Sequence, residues 1–188
     1  MPKDQVKPHV SYLKSIHACG EAVAYAKQHP DMESAWLNCQ RPDWMLWLLD
    51  KAGYKDDTQM RLYACWCARH TPLGDGRTTW DLLTDPRSRA VIEVAERFAL
   101  GQATKDELTA AYAAARAAYA ASAAYAAAHV AHAAAAAAYA ARAAAHAAYA
   151  AHAADAARAA RAAAHAAQAD QLRLMVPWPV VAQLLEPK

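Results

Sequence analysis

Apolar side chains recur at helical spacing along the first hundred residues. Leu13, Ile16, Val23 and Ala24 predict a first helix from about Ser11 to Gln28, ended by His29-Pro30. Asp31 is placed to cap a short second helix through Trp36 and Leu37 to about Cys39. Pro42 then opens a third, Trp44-Met45-Leu46-Trp47-Leu48-Leu49, apolar on every side and therefore expected to be buried all round. Gly53 is positioned to close it in a left-handed cap. A fourth helix is expected from Asp57 through Met60, Tyr63, Trp66 and Cys67 to Arg69 or His70, followed by the loop Thr71-Pro72-Leu73-Gly74-Asp75-Gly76. Asp85-Pro86 starts a fifth, with Val91, Val94, Ala95 and Phe98 as its core face and Gly101 at its end.

Beyond Thr104 the pattern changes character. Thr104-Lys105-Asp106-Glu107 reads as a capping box, and from about Thr109 to Ala169 the chain is mostly alanine, interrupted every third or fourth residue by Tyr, His or Arg. Alanine loses no side-chain entropy in a helix, and neither Gly nor Pro occurs between Gly101 and Pro177. A single helix from Lys105 to Met175 would be about 105 Å long. Three successive stripes suggest folding back instead: Leu108, Tyr112, Ala115 and Tyr119; then Tyr125, His129, His132, Tyr139 and His146; then Arg158, Arg161, His165, Gln168, Leu172 and Met175. The register slips near Ser122 and between His152 and Asp155, and both Ser122 and Asp155 can cap a helix. The expected fold is all-α. A helical domain with a Trp- and Cys-rich core covers residues 1–103, and an alanine-rich helical bundle, folded back on itself, covers 104–176. An extended tail follows over 177–188.

Composition narrows the function classes. Twenty basic against 18 acidic residues leave a net charge of +2, without the basic excess expected of a dedicated nucleic-acid binder. Arg116, Arg142, Arg158 and Arg161 make a membrane-spanning alanine tract costly. No apolar stretch of signal-peptide length follows the N-terminus, and the four cysteines then read as reduced thiols, so a soluble, cytoplasmic protein is expected.

Candidate chemistry is sparse. His129, His132 and His146 share a helical stripe with Tyr125 and Tyr139, but ligands strung along one helix do not converge on a metal. Cys65 and Cys67 diverge by about 200° on a helix, and free cysteine favours the core. No grouping of nucleophile and base, phosphate loop or metalloprotease motif is present. No catalytic, cofactor-binding or metal-binding residue is therefore assigned.

Ala18-Cys19-Gly20-Glu21-Ala22, Ala35-Trp36, Cys39 and Arg41-Pro42-Asp43-Trp44-Met45-Leu46-Trp47-Leu48-Leu49 together resemble the predicted immunity proteins of bacterial polymorphic toxin systems. The grouping is the fifth immunity family with its phage-encoded relatives. Leu62 to Arg69, the alanine-rich stretch and Val176-Pro177-Trp178-Pro179 continue the resemblance in order. It implies a non-catalytic, protein-binding inhibitor that neutralises a toxin or blocks a host defence factor. Arg41, Asp43 and Trp44 are candidate partner contacts, and Tyr125, His129, His132, Tyr139 and His146 form a second candidate surface. Two other readings stand beside this one: a scaffold that self-associates into homo-oligomers through the alanine-rich helices, and a weak nucleic-acid binder using the Tyr/His/Arg stripes.

Overall fold

The computed structural model of the chain describes residues 7–117 and 143–186, with the backbone alone for 143–158. Every regular element among these residues is helical, so the all-α expectation holds. The helices are α1 (Pro8–Ser15), α2 (Gly20–Lys27), α3 (Met32–Asn38), α4 (Pro42–Ala52), α5 (Asp57–His70), α6 (Thr79–Leu82) and α7 (Pro86–Ala99). After these come α8, described over 105–117, α9 (Ala143–Met175) and α10 (Trp178–Leu185). The chain divides into two compact units, residues 1–56 with 165–188, and residues 57–164. This partition differs from the expected boundaries at 103 and 176, because the end of the alanine-rich segment and the C-terminal residues group with the first helices.

The expected first helix is two helices. His17 adopts φ 62°, and its N–H bonds the Lys14 carbonyl while the Ala18 N–H bonds that of Leu13. That pair of bonds is a Schellman closure with histidine in the left-handed position usually given to glycine. Gly53 (φ 83°) and Gly101 (φ 72°) close α4 and α7 with the same two bonds, as their placement predicts. Caps foreseen from the sequence are also in place. The Asp31 carboxylate accepts from the Ser34 N–H at 2.7 Å, and Asp85 from the Arg87 N–H at 2.8 Å. Thr104 and Glu107 make both bonds of the capping box.

Unit one is built on α1–α4, the last turns of α9 and α10. Its core holds Val10, Leu13, Val23, Ala26, Trp36, Met45, Leu48 and Leu49, joined by Ala169, Leu172, Val176 and Val181. His9, itself buried, ties α1 to α2 through a 3.0 Å bond between its Nε2 and the Ala26 carbonyl. Arg173 closes the end of α3 by donating to the carbonyls of Trp36 (3.3 Å) and Cys39 (2.5 Å). Contrary to expectation, α4 is not buried all round: Pro42, Met45, Leu48 and Leu49 are buried, but Trp44, Leu46 and Trp47 are half-exposed.

The segment expected as an extended tail is α10. Val176-Pro177-Trp178-Pro179 does end α9, but Pro179 then sits in the first turn of a new helix, where its missing N–H costs nothing. That helix packs on α3 and α4.

Unit two centres on α5 packed against α7. Arg69 forms a two-pronged pair with Glu96, both distances 2.7 Å, and its guanidinium stacks on Trp80 at 4.1 Å. The predicted core face of α7 is only half-buried; the buried side chains of this unit include Tyr63, Cys65 and Thr71. The break expected between His152 and Asp155 is absent, since α9 runs unbroken through it. Asp155 therefore lies inside a helix: its capping ability was not called upon in a stretch of such high alanine propensity. The slip near Ser122 lies outside the described residues. Gly74 (φ 85°) approaches α9 closely, since a Cβ added there would lie 2.7 Å from the Ala160 Cβ.

No described helix is long and apolar enough to cross a membrane.

Candidate functional site

α2, α3 and α4 enclose a cleft of about 490 Å³ in unit one. Its aromatic and apolar lining includes Tyr25, Trp36, Trp44, Met45, Trp47 and Leu48. Proline at the start of α4 sets the helix entry, and the following turn presents Asp43 and Trp44 beside Arg41, which stands at the N-cap position.

The Arg41, Asp43 and Trp44 expected as partner contacts come together here. Arg41 donates from Nε (2.9 Å) and Nη2 (2.7 Å) to the two carboxylate oxygens of Asp43. Its guanidinium also lies 4.3 Å from the Trp44 ring centroid, an arrangement that combines cation–π attraction with a fixed ion pair. Glu21 stands 3.9 Å from Nη1. The hydrogen bonds from Arg41 hold the Asp43 carboxyl below its ordinary range, and Asp43 raises the guanidinium in turn. Both groups stay charged at neutral pH, which suits recognition and removes Asp43 as a proton donor.

Tyr25 packs in tilted contact with Trp44, their centroids 5.8 Å apart, and its hydroxyl donates to the Ala35 carbonyl at 3.1 Å. Burial, with a lesser contribution from Cys39 and against the opposing charge of Arg173, pushes that hydroxyl up to about 12. Burial likewise raises the Cys39 thiol, whose Sγ lies 3.6 Å from the Arg41 carbonyl. A thiol held protonated is a poor nucleophile. Cys19, expected in the core, is exposed at the start of α2.

Tyr125, His129, His132 and Tyr139 lie outside the described residues, and His146 falls on α9 where the backbone alone is described. The structure thus brings together three of the eight candidate contacts. Among the described residues, no three His, Cys, Asp or Glu side chains gather where they could hold a metal ion. Tyr25 and the enclosing role of Trp36 were missed from sequence. The spacing Trp36, Trp44, Trp47 was the available signal, but Tyr25 reaches the cleft from another helix.

Comparison with protein-family models, curated proteins and solved structures finds no match to this chain.

Proposed function

We propose that the chain is a non-catalytic protein-binding inhibitor, acting as an immunity protein against a toxin or as a phage-encoded block on a host defence factor. Two kinds of support meet in one place. The specific part of the resemblance to immunity proteins spans about Ala18 to Leu49, and within it the run Arg41 to Leu49 supplies the charged, aromatic edge of the cleft.

The observation that carries the proposal is Arg41 fixed between Asp43 and the Trp44 ring, with Trp44 and Trp47 half-exposed beside it. Tryptophan and arginine are enriched at interface hot spots, where a large side chain fills a desolvated contact. A prepaired Arg–carboxylate stacked on indole costs less to order on binding than loose surface charges would.

The test is affinity capture from the native host with the tagged chain, set beside its Arg41→Ala and Asp43→Ala variants. These side chains are 40% and 55% exposed, so removing their ion pair should lower the melting temperature by only a few degrees and leave both variants folded. Recovery of one protein in near-equal molar amount, lost in both variants, supports the proposal. No stoichiometric partner, or recovery indifferent to both substitutions, would refute it.

A further inference from the structure

The cleft of unit one is mainly apolar, so charge around it sets its preference among ligands. Among the described residues, its lining holds one guanidinium, Arg41, against two carboxylates, those of Asp43 and Glu21. Asp43 accepts from Arg41 at 2.9 and 2.7 Å, and these bonds make a closed pair. Glu21 stands 3.9 Å from Nη1, beyond hydrogen-bond reach, and its side chain is 80% exposed. One negative charge is therefore left over, in the first turn of α2. The dipole of so short a helix offsets part of that charge without reversing it.

The rest of the lining adds to the same preference. Tyr25, Trp44 and Trp47 are partly exposed on it, and buried Leu13, Met45 and Leu48 contribute hydrocarbon. Aromatic rings carry negative potential over their faces and attract cations, as the Arg41 guanidinium shows at 4.3 Å from the Trp44 centroid. An anion would meet Glu21 with no unpaired positive charge to hold it. A volume of about 490 Å³ lies within the range of small-molecule sites.

We propose that the cleft binds a small amphipathic cation, an amine or guanidine with an apolar body, its body against the aromatic lining and its charge toward Glu21. The inference goes beyond the proposed inhibitor function and stands whether or not a protein docks at Arg41 and Asp43.

Phenylbutylamine, phenylbutanol and phenylbutyrate share one apolar body and differ in the charge at its end. They serve as probes on the full chain at about pH 8, where the amine and the acid are both ionised. In a ¹⁵N-labelled sample, the amine should move the Trp44 and Trp47 indole resonances saturably and leave those of Trp66 and Trp80 in place. It should bind at least about threefold more tightly than the alcohol, with the acid weakest of the three. Glu21→Gln should erase most of the amine's advantage while leaving the alcohol within about twofold of its original affinity. Ala22→Phe, which fills the cleft from α2, should weaken all binding at least about tenfold. If Ala22→Phe fails to fold, the indole shifts and Glu21→Gln decide the matter. No saturable amine binding up to about 10 mM, no preference for the amine over the alcohol and the acid, a preference unchanged by Glu21→Gln, or binding unaltered by Ala22→Phe would overturn the proposal.

Discussion

His17 shows how much one side chain in an unusual backbone position can cost and organise. A non-glycine residue in the left-handed region loses about 1–2 kcal/mol to the clash of its Cβ with the backbone, yet His17 sits there at φ 62° and closes α1. His17→Gly should therefore raise stability by up to about 1 kcal/mol, part of the gain being returned through the looser unfolded chain. Urea unfolding midpoints would measure it, and a destabilised variant would mean that the imidazole contributes more than the backbone loses. Arg173 works in the opposite sense. Its side chain is 17% exposed and donates to two carbonyls that would otherwise lack those bonds at the end of α3. Arg173→Ala should cost about 1.5–3 kcal/mol, read from the same urea curves. Tyr25 makes a prediction about pH. Its hydroxyl titrates near 10 in the unfolded chain and is pushed up to about 12 by burial when folded. The folded state thus holds its proton longer, so this contribution is complete below pH 10 and is lost as pH rises from about 10 to about 12. Unfolding free energies at pH 9, 10 and 11 should fall less steeply for Tyr25→Phe than for the parent. Equal slopes would show that Tyr25 ionises alike in both states.

Helix starts and stops were legible wherever one residue type has one local job. Asp31, Asp85 and Thr104 cap as expected, and Gly53 and Gly101 close their helices, because these effects depend on a few neighbouring backbone groups. What was not legible depends on distant packing or on context. Histidine is a rare left-handed closer, so the break between α1 and α2 left no sequence signature. Val-Pro-Trp-Pro was read as a stop, although the second proline is equally suited to a helix start, and Val181 becomes fully buried as α10 packs on α3 and α4. Within alanine-rich sequence, a shift in the stripe of larger residues proved too weak to break α9 at His152–Asp155. The importance of α10 can be tested directly. Val181→Asp would bury a carboxylate at a position with no exposure, and several kcal/mol of desolvation should unfold unit one. Loss of the cooperative melting of that unit by near-ultraviolet circular dichroism is expected. Retention of it would mean that α10 peels away at little cost.

At the scale of the whole molecule, three of the eight candidate contacts fall in unit one and five along the alanine-rich segment, whose side chains at those positions lie outside the described residues. Among the described residues, Arg41, Asp43, Trp44, Tyr25 and Trp36 share one cleft. The sequence exposed half of this site: Arg41, Asp43 and Trp44 are neighbours along the chain, so their grouping survives without knowledge of the fold. Tyr25 and Trp36 join them only in the folded chain, where α2 and α3 line the same cleft and Tyr25 meets the Trp44 ring. Partner binding is proposed at that edge. Its most direct test is backbone hydrogen exchange on the full chain, free and in complex with the stoichiometric partner captured from the native host. Slowed exchange over residues 39–48 is expected in the complex, with exchange across α5 and α7 unchanged. Protection confined to residues 57–117 or to the alanine-rich segment, with 39–48 unaltered, would contradict it.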